Sequence, residues 1–187
     1  MKTEIDLFGK SKIPKTKIGK LEKGLLKYDQ STFEERLNRL KYIQKIYPKD
    51  LWIGGDREFV YTFSEAKDCY VAGHFIATII LTQSFIEKIL HQFFEQKGLD
   101  SIAQKGLDKM IKYAKQNNLV NTLILDKINT LRLKRNPFIH SKDWEYPHSI
   151  SNRMQKEQTV ILPSRLLESD ATEAIQIMFF LITHKLK

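Results

Sequence analysis

Apolar positions along most of the chain recur at spacings of three and four, the rhythm of helices that bury one face. In STFEERLNRLKYIQKIY, residues 31–47, the residues Phe33, Leu37, Leu40, Ile43 and Ile46 share one side of a predicted helix. Ser31 and Glu34 stand in capping-box spacing at its start, and Pro48 is its stop. Thr62 and Glu65 form a second capping box, and no proline follows until Pro137. Helical periodicity can run unbroken over 64–97, ending at Gly98, a span of about 50 Å at 1.5 Å per residue. Gly73 in its middle costs about 1 kcal/mol relative to alanine and marks a kink or a close helix contact. A short helix is predicted over 107–115, closed by Gln116, Asn117 and Asn118, and another from Leu119 to Asn136. The last begins at Ser169 or Asp170, with Ala171, Ala174, Ile175, Met178, Leu181 and Ile182 on its buried side.

Two stretches depart from this rhythm. In LWIGGDREFVYTF, Gly54, Gly55 and Asp56 separate two short apolar runs, the pattern of a small β-hairpin or an ordered loop. QTVILP, residues 158–163, reads as a short extended segment after about twenty polar, irregular residues. The expected fold class is therefore mainly α: four principal helices that can pack as a bundle over 61–187, preceded over 1–60 by a basic extension carrying one amphipathic helix.

A length of 187 residues with 42% apolar content suffices for one sizeable core. The longest apolar runs, 75–81 and 175–182, fall short of the ~20 residues that span a bilayer, and charges interrupt any leader-like segment, so the expectation is a cytoplasmic protein without membrane association. The single cysteine, Cys69, lies in an apolar helical pattern and is expected to be a small buried hydrophobe. No Cys-x-x-Cys, His-Glu-x-x-His or acidic calcium loop occurs, and the five histidines lack ligand spacing; neither a metal nor a cofactor is expected.

The net charge of +9 changes the picture more, because six of those nine charges come from residues 1–50, where thirteen Lys or Arg face seven Asp or Glu. Lysines such as Lys12, Lys15, Lys17 and Lys20, scattered through KSKIPKTKIGKLEKGLLK, can meet phosphates as point charges without reading bases. The charge suggests a polyanionic partner; the structural alternative is a solvated, partly mobile arm.

Candidate chemistry concentrates in RLKRNPFIHSKDW, residues 132–144. Arg135 follows Leu131 by four and Ile128 by seven, so it shares their core-facing stripe and needs a partner or an anion. Pro137 disfavours helix at Asn136 and has no amide to donate, so the chain is expected to turn there and bring His140 beside Arg135. A guanidinium offers a planar fork to phosphoryl oxygens, and an imidazole moves protons near neutral pH. Lys134 and Lys142 flank the pair as further phosphate contacts. Glu87, one turn from Gln83 and from His91, forms a polar stripe that either pairs with Arg135 or faces solvent. His74, His91, His148 and His184 read as surface or core histidines, and Phe93, Phe94, Phe179 and Phe180 as packing.

LRLKRNPFIH resembles the Arg-x(4–6)-His motif of HEPN domains, in the Arg-Asn form common among their ribonuclease members. HFIATIILTQSFIEKILHQFFEQKG is similar to the long amphipathic helix of that family, and GLDKMIKYAKQNNLVNTLILDKINTLR to the segment leading into the motif; together the resemblance covers 62–187. It implies a four- to five-helix bundle that forms a homodimer with two motifs facing one cleft, and a metal-independent endoribonuclease serving phage defence or acting as a toxin. Arg135 would stabilise the scissile phosphate, His140 act as general base or acid, Asn136 hold the phosphate or orient the histidine, and Glu87 shape the site. A 2′-OH attack would leave a 2′,3′-cyclic phosphate, and an antitoxin or sensor protein is a further implied partner. Where some toxin members carry a modifiable tyrosine two residues after the histidine, this chain has Lys142, so that mode of regulation is not implied. A non-catalytic RNA- or nucleotide-binding module, or a dimerisation domain of the same fold, is the alternative.

Overall fold

A computed structural model describes residues 19–49, 51, 53–156, 162–184 and 186. Among these residues there are eight helices and no strand: α1 (Lys20–Ile46), α2 (Arg57–Ala72), α3 (Phe75–Gln96), α4 (Asp100–Ala103), α5 (Leu107–Gln116), α6 (Thr122–Ile139), α7 (Ile150–Lys156) and α8 (Pro163–Thr183). The chain divides between Glu35 and Arg36 into two units. In the second, α3 is the central helix, packed against α2, α4, α5, α6 and α8, so the mainly α bundle expected from the sequence is what forms. Phe85, Phe94, Ile79, Ile86 and Leu90 of α3 are fully buried, as are Leu125, Ile128 and Leu131 of α6 and Ile175 and Met178 of α8. No helix among the described residues is long and apolar enough to cross a membrane.

Several expected boundaries move, each for a local reason. Helix α1 starts at Lys20, eleven residues before Ser31, whose hydroxyl donates back to the Tyr28 carbonyl at 2.8 Å as an interior serine does. Phe33 and Leu40 are exposed, and α1 buries Arg39 and Ile43 instead. The stretch expected to be a small hairpin or an ordered loop has no strand among its described residues and leads into a helix cap: Asp56 is extended, at φ −66° and ψ 162°, and its carboxylate accepts the Phe59 amide at 2.6 Å. Helix α2 thus begins five residues before Thr62, whose hydroxyl donates to the Glu58 carbonyl within the helix.

The 64–97 pattern is two helices. Gly73, at φ 85°, closes α2 in the left-handed conformation, its amide donating to the Tyr70 carbonyl and that of His74 to Cys69. Helix α3 then folds back along α2, placing Phe85 against Phe59 at 4.2 Å between ring centroids and Lys88 beside Asp56. Arg39, 7% exposed, locks this turn: its Nε donates to the Val71 carbonyl at 3.1 Å, and its Nη1 pairs with Glu168 at 3.3 Å. Cys69 on α2 is half-buried rather than sealed, with burial foremost and then Glu65 and Asp68 pushing its thiol pKa up.

Asn121, not Leu119, caps the next helix by accepting the Leu123 amide. Helix α7 occupies part of the stretch expected to be irregular, with Ser149 Oγ accepting the Asn152 amide at its start. Helix α8 begins at Pro163, where a proline needs no amide partner, and Asp170 lies inside it as a buried acid instead of a cap. Most of the QTVILP segment lies outside the described residues. Phe180 is 40% exposed and stacks on His184 at 4.2 Å, whereas Phe93, Phe94 and Phe179 are buried as expected.

Candidate functional site

Helix α6 continues one turn beyond the expected break, passing through Pro137 to Ile139. A proline at that position removes the amide that would bond to Leu133, four residues earlier. The Leu133 carbonyl instead accepts the Tyr146 hydroxyl at 3.2 Å, so the loop after the helix supplies the missing donor. The chain leaves the helix at His140, whose backbone is extended (φ −130°, ψ 139°) and whose amide donates to the Asn136 carbonyl at 2.9 Å. His140 reaches the site as the C-cap of the helix, not by a turn at Asn136.

The residues that α6 delivers line an open cleft of about 530 Å³. One wall carries Arg132, Arg135, Asn136 and His140, with Lys142 from the following loop. The other carries Gln83 and Glu87 of α3 and the start of α5, Gly106 to Asp108. Arg135, next on the stripe after the fully buried Ile128 and Leu131, is half-buried, and its Nε is enclosed without a hydrogen-bond partner. Burial lowers its pKa, opposed by the Glu87 carboxylate and helped by Arg132; a guanidinium remains charged in such surroundings. Arg132 holds Asn129 Oδ1 through Nε at 3.1 Å and Nη2 at 2.9 Å, and Lys142 Nζ lies 5.7 Å from the Tyr146 ring centre.

Glu87 does not ion-pair directly with Arg135. Its Oε1 accepts the Leu107 amide at 3.2 Å, tying the start of α5 to α3 while its charge faces the guanidinium across the cleft. The polar stripe divides at Glu87: Gln83 and Glu87 line the cleft, whereas His91 pairs with Glu95 at 3.3 Å in an adjoining surface depression that Glu87 also lines, near Asp56 and Lys88.

The structure therefore brings Arg135, Asn136, His140, Lys142 and Glu87 to one cleft and leaves Lys134 out of it. Lys134 Nζ is held by Asp170 at 2.9 Å and Glu173 at 2.8 Å, on the side of α6 that faces α8. Arg153 completes the cluster with a second contact to Asp170 at 2.9 Å, and Asp170 is only 1% exposed. Lys20 is the exposed first residue of α1 in the N-terminal unit; Lys12, Lys15 and Lys17 lie outside the described residues. Sequence reasoning did not single out Arg132, Asp108 or Tyr146. Arg132 stands three residues before Arg135 and shares its face, a signal present in the sequence, whereas Asp108 and Tyr146 acquire their places only through tertiary packing.

Among the described residues, no three His, Cys, Asp or Glu side chains gather as a metal-binding group. Comparison of the chain with protein-family models, curated proteins and solved structures returns no match.

Proposed function

We propose that this cleft is the phosphate-handling site of a metal-independent endoribonuclease of the HEPN type. The observation that carries the reading is Arg135: a half-buried guanidinium with an unpartnered Nε, in an open cleft that also holds Asn136 and His140. Such a donor calls for an anion, and two further cations, Arg132 and Lys142, line the same space.

In the proposed reaction, His140 takes the proton of a ribose 2′-OH, and the freed oxygen attacks the adjacent phosphorus. The bond from phosphorus to the 5′-oxygen breaks, and that oxygen leaves with a proton, so the products are a 2′,3′-cyclic phosphate and a 5′-OH. Arg135 stabilises the charge gathering on the phosphoryl oxygens, and Asn136 donates to the same group. One cleft has one imidazole, while the reaction both removes and returns a proton. A second copy of the chain facing the first would supply the second imidazole, in line with the homodimer implied by the resemblance. Growth arrest or phage defence is the role such an activity would serve.

A single-stranded RNA incubated in excess EDTA should be cut by the wild type, leaving cyclic phosphate ends, while His140→Ala and Arg135→Ala lose at least about 100-fold in rate. Equal cleavage by wild type and His140→Ala would remove the catalytic assignment. Phosphate-dependent binding without cleavage would instead favour the non-catalytic module, which the single imidazole per cleft also suits.

A further inference from the structure

Gln83 sits on the α3 wall of the cleft at 2% exposure, and its Oε1 is buried without a hydrogen-bond partner. A buried amide in that condition destabilises the fold, and such groups in folded proteins are ordinarily satisfied by something. Its neighbours on this side of the cleft are acceptors as well. Asp108 is exposed at the start of α5, and one oxygen of Glu87 already holds the Leu107 amide. Cations line the α6 side and acceptors the α3 and α5 side, so the two walls suit different parts of one ligand.

We infer that the α3 and α5 side of the cleft is a nucleobase subsite that takes a base carrying an exocyclic amine beside a ring nitrogen, with Gln83 reading that edge. The inference rests on the proposed RNA-cleaving reading, in which the Arg135 side holds the phosphate. A phosphate is disfavoured on the opposite wall by Glu87 and Asp108. A rotation of the Gln83 terminal amide toward the cleft would present its now-enclosed oxygen to one of the two hydrogens of an exocyclic amine, the other going to a carboxylate, while the amide nitrogen donates to the adjacent ring nitrogen. Adenine and cytosine present that edge. Uracil offers one N–H between two carbonyl oxygens, and those oxygens would face the carboxylates. A cleft of about 530 Å³ has room for a nucleotide.

Binding of 2′-O-methyl hexamers tests this apart from cleavage, because the blocked 2′-oxygen cannot attack. The four hexamers are adenosine, purine riboside (the same ring without its amine), cytidine and uridine. The adenosine and cytidine hexamers should bind about tenfold tighter than the other two. Gln83→Met should bring all four within about twofold and hold or raise the melting temperature by about 2–4 °C, since the orphaned amide is gone. Asp108→Asn, at an exposed position outside the core, should reduce the preference at least about threefold. Equal affinities in the wild type, no binding of any hexamer, or a Gln83→Met protein that keeps the preference would each overturn the subsite; the last would mean that the amide is satisfied from the Arg135 side through solvent. Base-selective binding by a protein that cuts no RNA would leave the subsite standing and remove the nuclease reading. Cleavage without base preference would do the reverse.

Discussion

The hydroxyl of Tyr146 donates to the carbonyl of Leu133 at 3.2 Å, the acceptor that Pro137 leaves without an amide. This bond lets α6 run to Ile139 and present His140 at its end, and it also anchors the loop that carries Lys142. Tyr146→Phe should lower stability by about 1–2 kcal/mol, because a partly buried carbonyl loses its donor. In a Pro137→Ala background the alanine amide can return to Leu133, so the same tyrosine change should cost less by at least about 0.5 kcal/mol. Denaturant unfolding of the four proteins measures both numbers. Equal costs in the two backgrounds would place the contribution of the hydroxyl elsewhere.

This pair also shows where sequence reasoning reached and where it ended. The stripe of Ile128, Leu131 and Arg135 is local, set by helical spacing, and both apolar members are fully buried with the arginine next in line. The buried positions of α8 follow the same rule, with Ala171, Ala174, Ile175, Met178 and Leu181 inside. A proline reads locally as a helix stop, yet its effect depends on whether a donor arrives from elsewhere, and Tyr146 arrives across thirteen residues. Lys134 illustrates the same limit. Beside the motif it looks like a phosphate contact, but the helical turn points it at Asp170 and Glu173. Gln83 and Glu87 were visible as a polar stripe; which of its members faces the cleft depended on the docking of α5.

Gly73 carries the turn between α2 and α3 at φ 85°, and a methyl group added there would meet the Arg39 guanidinium at 3.0 Å. Gly73→Ala should therefore cost about 1–3 kcal/mol, combining backbone strain with displacement of an arginine that bonds Val71 and Glu168. Thermal melting should show a fall of about 2–12 °C. An unchanged melting temperature would mean that the turn does not depend on its left-handed residue. None of the residues lining the cleft belongs to this turn, so on the proposed reading RNA binding at a temperature where the variant is folded should match the wild type.

His148 gives the fold a pH dependence on the acid side. Burial lowers its pKa below 6.5, and Arg153, Lys134 and Lys156 lower it further. The unfolded chain then takes up this proton at a higher pH than the folded one, so stability rises with pH between the folded and unfolded values and is lost as pH falls below about 6.5. His148→Gln removes that linkage. The drop in melting temperature from pH 7.5 to pH 5.0 should be smaller in the variant than in the wild type, and an NMR titration of the wild type should place the His148 midpoint below 6.5. Equal drops would assign the acid sensitivity to other groups.

Lys134 stands one residue before the motif and Lys142 two residues after it, yet the structure gives them different surroundings. Lys142 is exposed and lines the cleft beside Tyr146, so on the proposed reading it meets RNA phosphate. Lys142→Ala should weaken binding of single-stranded RNA and reduce the slope of log affinity against log salt by about 0.7, the loss of one phosphate contact. The Lys134 ammonium is committed to Asp170 and Glu173, and removing it leaves the buried Asp170 with Arg153 alone. Lys134→Ala should leave the salt slope unchanged and lower stability by about 1–3 kcal/mol. Burial is the largest single effect and lowers the pKa of Lys134, but the hydrogen bonds and charges of Glu173 and Asp170 together outweigh it and raise it, so its share of stability is present below the ordinary lysine value of 10.5 and is lost only as pH rises above it. A salt slope that fell in Lys134→Ala as much as in Lys142→Ala would mean that this ammonium leaves its carboxylates to reach RNA.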